Sequence, residues 1–213
     1  MLNGMPFILV MMAFTTHDAQ RALAAGILYT IHHMITVGSL ILASGAIEET
    51  YGTGRLNKLS GLARRDPIIA WIFAAGAFSV VGFPPFSGMW GKVLIVAEIA
   101  RTGGGWAWTV IAVIIIASFA AFLAMLRVWR RVFWGKDLPK EKVPKELVIR
   151  KKLMAPSAAL ILGSLTMFIL SGPLIEVTME ASADLLDTDA YSHAVLGDEP
   201  VALPDIDSIQ EGR

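Results

Sequence analysis

The chain has 213 residues, of which 55% are hydrophobic and only 17% charged, and its mean hydropathy is +0.61. Soluble domains carry about 25% charged residues, so this composition excludes a soluble globular enzyme and indicates a membrane protein. The 18 basic and 18 acidic residues cancel, which excludes a global positive field that would attract nucleic acid. Because the chain has no cysteine, disulfides, thiolate metal sites and cysteine nucleophiles are excluded too.

Apolar runs bounded by charge predict about five membrane-spanning helices, since about 20 apolar residues are needed to cross a bilayer. The first run is short, and the third is interrupted at residues 82–88, which have the sequence GFPPFSG. The predicted fold class is therefore an all-α integral membrane bundle, polytopic and helical, in which one span is discontinuous at a Pro-Pro break. The predicted spans are 1–14, 21–47, 67–100, 106–128 and 153–177.

The distribution of basic residues decides between one broken helix and two separate spans over 67–100. With one broken helix, the segments 48–66 and 127–152 lie on the same side of the membrane and hold fourteen of the eighteen basic residues. Two spans would place these two basic loops on opposite sides, against the positive-inside rule. We therefore predict one interrupted helix, with both basic loops cytoplasmic and residues 178–213 exterior.

A transmembrane domain over 1–177 and an acidic tail over 178–213 are the two predicted parts of the chain. The tail has nine acidic residues, one arginine and no apolar run long enough to pack. Segments of this composition bury too little apolar surface to fold alone. The tail is therefore predicted to be flexible.

Lys92 lies deep in an apolar segment, four residues after the break ends at Gly88. An ionised lysine at the bilayer centre costs about 2.5–3.5 kcal/mol, so it is expected to face protein or water and to carry a proton. The alternative is a structural lysine that bonds to a carbonyl. Pro84 and Pro85 remove two backbone donors, and the released carbonyls need partners that lipid cannot provide. Three glycines permit unusual dihedral angles and close approach there: Gly82, Gly88 and Gly91.

A polar stripe follows helical spacing in the second span. Its two histidines can relay protons when neutral, and the alternative is a pair that simply bonds to neighbouring helices. Adjacent residues point about 100° apart, so one histidine can relay while the other packs. Glu98 is a further intramembrane acid on a different face of its helix from Lys92. The stripe consists of Tyr29, His32, His33, Thr36 and Ser39.

Four sequence motifs resemble, in order and spacing, those of the proton-conducting antiporter-like membrane subunits. The nearest resemblance is to the D subunits of Mrp-type multisubunit Na⁺(K⁺)/H⁺ antiporters. Relatives occur in membrane-bound hydrogenases and in the proton-pumping membrane arm of respiratory complex I. The Pro-Pro-to-Lys element is the most specific of the four. The motifs are YTIHHM at 29–34, RLNKLSGL at 55–62, GFPPFSGMWGK at 82–92 and FWG at 133–135.

The resemblance implies a fourteen-helix fold with two inverted repeats, each containing a broken helix with a charged residue at the break. Lys92 then matches the family's lysine or glutamate in the second broken helix, and His32 and His33 match the histidine region before it. All three would belong to the second proton half-channel. Two departures stand out: the first repeat is not in this chain, and Val37 replaces a lysine that is frequent in related subunits. The chain is therefore expected to be the C-terminal portion of a split or longer subunit.

Three functions remain open at this point. The first is a secondary transporter, not an enzyme, that exchanges Na⁺ or K⁺ for protons together with other complex subunits, including an N-terminal half of its own subunit if that is split. The second is a proton-pumping subunit of a complex I-like or hydrogenase redox complex. The third is a structural scaffold fragment without transport. No catalytic residue, metal site or cofactor is predicted, since no soluble catalytic signature occurs.

Overall fold

The computed structural model describes residues 18–136 and 147–197. Within these ranges the chain forms eight α-helices and one π-helical turn, and no strand, so the predicted all-α class is confirmed. The predicted first span, 1–14, lies outside the described residues. So do residues 137–146 of the second basic loop and residues 198–213 of the acidic tail. The elements are α1 (Ala19–Tyr51), α2 (Leu62–Arg65), α3 (Pro67–Val81), α4 (Gly88–Thr102), α5 (Gly104–Val128), the π-helical turn (Trp129–Phe133), α6 (Lys151–Ile169), α7 (Ser171–Leu186) and α8 (Thr188–Leu196).

Helix α1 is the centre of the bundle and contacts α3, α4, α6 and α7. Its 33 residues span about 50 Å at 1.5 Å per residue. The Asp18 carboxylate caps its start by accepting from the Arg21 backbone N–H at 3.0 Å. Small residues let the neighbouring backbones approach α1 closely. Those that are buried include Ala22, Ala24, Ala25, Gly26, Ala43 and Ala46.

Polar side chains lie inside the bundle beside its apolar core, and large apolar side chains lie on its surface. Twelve polar or ionisable residues are buried among those that the structure describes. Large apolar side chains lie on the outside, such as Trp71 at 76%, Trp106 at 72% and Ile169 at 78% exposed. Exposed large apolar side chains in this number indicate a surface that meets lipid or other proteins. By length and composition α1, α5 with its π-helical turn, and α6 could each cross a membrane, and α3 is a shorter apolar helix.

The two basic loops meet at one end of the bundle. Arg64 Nη2 donates to the carbonyl of Gly135 at 3.0 Å, and Arg65 Nε donates to the carbonyl of Leu147 at 3.0 Å. The Asp66 carboxylate accepts from a backbone N–H of the second loop at 3.0 Å. These bonds place both loops on the same side, as the charge distribution predicts for one interrupted helix.

The last predicted span, 153–177, is two helices rather than one. Helix α6 ends at Ile169, Leu170 leaves helical geometry with ψ at 23°, and α7 begins at Ser171. The physical cause is Pro173, which has no N–H and whose ring opposes the carbonyl four residues earlier, that of Ile169. Helices α6 and α7 together run antiparallel to α1.

The predicted domain boundary at residue 178 falls inside α7, so the structure differs here from the expected unpacked tail. Helix α7 continues to Leu186, and Thr178 and Ser182 are buried in it. Gln20 Nε2 on α1 donates to the carbonyl of Met179 at 3.0 Å. Low hydropathy did not prevent this packing because the buried hydroxyls donate to carbonyls of their own helix, as Ser182 Oγ does at 2.6 Å.

Candidate functional site

The interruption between α3 and α4 leaves two carbonyls that the helix itself cannot satisfy. In a continuous α-helix the carbonyls of Val80 and Val81 would accept from the residues four positions later. Those residues are Pro84 and Pro85, which carry no N–H. The chain also leaves the helix at Gly82, whose φ is 96°. The two carbonyl oxygens therefore need a donor from elsewhere.

Lys92 is that donor. Its Nζ donates to the carbonyl oxygens of Val80 at 3.0 Å and Val81 at 2.8 Å, and to Ser118 Oγ on α5 at 3.0 Å. Three acceptors match the three N–H groups of an ammonium. The carbon chain of Lys92 lies against Gly82, where an added Cβ would come within 3.1 Å of Lys92 Cδ. Lys92 thus closes the helix break, which is the structural role that the sequence left as an alternative.

A buried cluster of hydroxyls surrounds His32, and we call the four residues Thr36, Ser79, Ser87 and Ser164 the hydroxyl cluster. Each of the four is at most 4% exposed, and His32 is 1% exposed. They come from four places: α1, α3, the break and α6. The contacts close a ring: His32 Nδ1 to Ser87 Oγ at 2.7 Å, Ser87 to Ser164 at 3.0 Å, Ser164 to Ser79 at 2.9 Å, Ser79 to Thr36 at 3.0 Å, and Thr36 Oγ1 to His32 Nδ1 at 3.3 Å.

Two glycines at the start of α4 allow it to approach α1 and α3 this closely. A Cβ at Gly88 would collide with the carbonyl oxygen of Ser79 and lie 2.7 Å from His32 Nε2. A Cβ at Gly91 would lie 2.9 Å from Cδ2 of Tyr29. Any larger residue at these positions would push α4 away from the histidine.

The rest of the polar stripe is also buried, but it reaches different partners. The ring of Tyr29 lies beside both imidazoles, with centroid distances of 5.8 Å to His32 and 6.0 Å to His33. Ser39 forms a reciprocal pair with Ser157 of α6: each hydroxyl donates to the other residue's carbonyl, at 2.9 and 2.7 Å. This pair fixes α1 against α6 and lies outside the hydroxyl cluster.

The structure brings Lys92 and His32 to the two sides of the end of α3. Lys92 bonds to the carbonyl of Val80, and the residue before it, Ser79, belongs to the hydroxyl cluster. Sequence reasoning did not single out Ser79, Ser118 or Ser164. The one local signal was a hydroxyl inside an otherwise apolar run, which by itself does not show what the hydroxyl meets.

Glu98 lies apart from this site. Its carboxylate accepts from Arg101 Nη1 at 2.9 Å, and it is 9% exposed. It lines a separate cleft of about 420 Å³, together with Arg21 of α1 and Met179 of α7. The structure therefore keeps Glu98 out of the arrangement around Lys92 and His32.

Comparison with known proteins shows which family this chain resembles. The family model described as NADH:quinone oxidoreductase/Mrp antiporter, TM, matches residues 3–124. The chain is 32% identical to the D subunit of the Na(+)/H(+) antiporter of Bacillus subtilis (strain 168), over 82% of this chain and 34% of that protein. It is 29% identical to the protein of the same name from Alkalihalophilus pseudofirmus, over 83% of this chain and 35% of that protein.

A solved structure agrees with these relatives. The structure of the Mrp complex from Dietzia sp. DQ12-45-1b matches with a TM-score of 0.72 and 32% identity, over 84% of this chain and 40% of that chain. The chain spans about a third of the length of the curated relatives that it matches. Its apolar helices and these matches make it a multi-pass protein of the cell membrane. Since the family model covers more than half of the chain, including both histidines and the broken helix, the chain belongs to the NADH:quinone oxidoreductase/Mrp antiporter transmembrane family.

Proposed function

We propose that this chain is part of a subunit of a multisubunit monovalent cation/proton antiporter, in which it forms one proton half-channel. The exchanged cation is Na⁺ or K⁺, and the relatives named as D subunits of Na(+)/H(+) antiporters support this exchange. The observation that carries the proposal is the lysine at the helix break, held beside a buried histidine with its hydroxyl cluster. Lys92 takes up and releases the proton, and His32 relays it, with His33 as the second imidazole of the path.

The geometry around Lys92 suits both protonation states of its amine. The ammonium donates to the two carbonyls and to Ser118 Oγ. A neutral amine has two N–H groups and one lone pair, so it keeps both carbonyl bonds and accepts from the Ser118 hydroxyl. Rotation of one hydroxyl hydrogen therefore accommodates the loss of the proton. A lysine that only closed the helix break would not need a partner that can both accept and donate.

The proposal includes the sidedness and the partners of the chain. The two basic loops meet at one end of the bundle, and by the positive-inside rule that end is cytoplasmic. The exposed apolar surface on α3, α5 and α6 is then covered by lipid and by other subunits, including the first repeat of the same subunit.

The test is Lys92→Ala in the intact complex, assayed in everted membrane vesicles. We expect the variant to lose cation-dependent collapse of the pH gradient while the complex still co-purifies with all its subunits. The matched control is Lys152→Ala, which removes an exposed lysine at the start of α6 and should leave antiport unchanged. Unimpaired antiport in Lys92→Ala would contradict the role of Lys92 and favour the scaffold function.

Ser118→Ala separates proton transfer from closure of the helix break. It leaves both carbonyl bonds of Lys92 intact but removes the donor that the neutral amine needs. We expect slower antiport, while the complex still co-purifies with all its subunits. A normal rate would show that the amine does not lose its proton at this place.

The second candidate is a proton-pumping subunit of a redox complex, because the family description names NADH:quinone oxidoreductase beside the antiporters. The same vesicles distinguish the two. Proton movement that requires an electron donor and ignores the cation gradient would favour the redox pump, whereas movement driven by Na⁺ or K⁺ alone supports the antiporter.

A further inference from the structure

Whether every contact in the ring around His32 can be a hydrogen bond depends on whether Nδ1 of His32 carries a hydrogen. Each of the five contacts needs one hydrogen to be a hydrogen bond, and the four hydroxyls bring four. A bare Nδ1 can only accept, so one of the five contacts would place the lone pairs of two groups against each other. A protonated Nδ1 shares its one hydrogen between Ser87 at 2.7 Å and Thr36 at 3.3 Å. Three of the four hydroxyl hydrogens then serve the other three contacts, so every contact holds a hydrogen, and the fourth hydroxyl hydrogen has no acceptor within the ring.

The other nitrogen of the imidazole points to the same conclusion independently. His32 Nε2 is buried, and no group among the described residues forms a hydrogen bond with it. It lies against Gly88, where an added Cβ would come within 2.7 Å. Buried N–H groups without an acceptor are rarer in proteins than acceptors without a donor. The position therefore suits a bare Nε2 better than an Nε2–H.

We propose that the hydroxyl cluster fixes neutral His32 with its proton on Nδ1, and so makes Nε2, beside Gly88, the nitrogen that takes up the transported proton. Ser164 of α6 is then a positioning residue for this transfer, although it lies 132 positions from His32 in the sequence. The role of Nε2 in transport rests on the function proposed above. The proton on Nδ1 does not, since it follows from the contacts alone.

Removal of the Ser164 hydroxyl changes the balance between contacts and hydrogens in the ring, because Ser164 takes part in two contacts but supplies only one hydrogen. In Ser164→Ala, three contacts remain, and Thr36, Ser79 and Ser87 bring three hydrogens. A bare Nδ1 then satisfies every contact, so the variant no longer disfavours the tautomer with its proton on Nε2. Ser79→Ala leaves the same balance of three contacts and three hydrogens, which provides a second variant should the first fail to assemble.

The experiment is solid-state NMR on the intact complex, labelled with ¹⁵N-histidine and reconstituted in lipid vesicles. The signals of His32 are identified by their loss in His32→Gln, and the shifts of the two ring nitrogens report which one carries the proton. We expect the Nδ1–H form to exceed the Nε2–H form by about fivefold or more, since a buried N–H without an acceptor is disfavoured by roughly that factor. A native His32 with its proton on Nε2 would overturn the proposal.

The variants test the positioning role. Ser164→Ala, or Ser79→Ala, should raise the Nε2–H fraction, and Ser164→Thr, which keeps a hydroxyl, should restore the native spectrum. The matched control is Ser157→Ala, a fully buried serine on the same helix whose bonds go to Ser39. An unchanged tautomer in both cluster variants, or an equal change in Ser157→Ala, would overturn the role of the cluster.

Antiport is measured in the same vesicles, so that failure of the proposed transport function can be distinguished from failure of the proposed His32 tautomer. Normal antiport in His32→Gln would overturn the transport roles of Nε2 and Ser164, while an Nδ1–H signal that Ser164→Ala shifts would still establish the tautomer. Loss of antiport in His32→Gln, together with the expected spectra, supports both.

Discussion

Replacement of Gly88 by alanine tests whether α4, α3 and α1 are packed as tightly at the break as the geometry indicates. The added Cβ would collide with the Ser79 carbonyl oxygen and lie 2.7 Å from His32 Nε2. A backbone oxygen at the end of a helix cannot move without its helix, so the clash is not relieved by a rotamer change. Overpacking of this kind costs about 1–3 kcal/mol. We expect Gly88→Ala to lower the free energy of unfolding by that amount.

Gly45→Ala is the matched control. Gly45 lies inside α1, is exposed, and an added Cβ there meets nothing within 4 Å. Alanine is favoured over glycine inside a helix by about 0.5–1 kcal/mol, so this variant should be slightly more stable than the native protein. The free energies of unfolding of the purified complexes are compared by titrating denaturing detergent into mixed micelles. If Gly88→Ala proved as stable as Gly45→Ala, the close approach of α4 to His32 would be refuted.

Three further predictions concern single contacts. A double-mutant cycle of Lys92→Met and Ser118→Ala should give a coupling energy of about 1–2 kcal/mol, because the bond is charge-assisted; additive losses would contradict that contact. Ser157→Ala should cost about 0.5–1.5 kcal/mol of unfolding free energy through its lost bonds to α1, and no loss would mean that the serine pair does not hold α6. Arg101→Ala should cost less than about 1 kcal/mol, since the Arg101 side chain is 62% exposed and water screens its ion pair with Glu98; a larger cost would show that the pair is effectively buried.

The placement of both basic loops at one end of the bundle could be predicted because it depends on local properties of the sequence. Span length follows from hydropathy, and the choice of one broken helix followed from where fourteen basic residues fall. The prolines at 84 and 85 also showed that carbonyls would be released, since a proline lacks an N–H wherever it is placed. These inferences needed no knowledge of which helix packs against which.

The hydroxyl cluster could not be predicted in the same way. Ser79 and Ser164 are 85 residues apart, and Ser87 and Ser164 are 77 apart. Only the packing of α6 against α1 and α3 brings them together. The course of α7 was missed for a related reason: its polar residues are satisfied by carbonyls of their own helix, so composition did not reveal that it packs. In both cases the outcome depends on which acceptor each hydroxyl binds in the folded protein, and the sequence alone does not show that.

The structural role of Lys92 and the transport role proposed for it are compatible, because the contacts that close the helix break also suit an amine that gains and loses a proton. Without the two unsatisfied carbonyls at the end of α3, the Lys92 amine would keep only its contact with Ser118 within the apolar part of the bundle. With them, the amine keeps two bonds in either protonation state, and only its third partner, Ser118, has to change from acceptor to donor. The Pro-Pro break thus creates the binding place for the amine, and in the proposed function the hydrogen that the amine shares with Ser118 is the one that is transferred. A substitution that made α3 and α4 one continuous helix would therefore remove the two free carbonyls that bind the Lys92 amine.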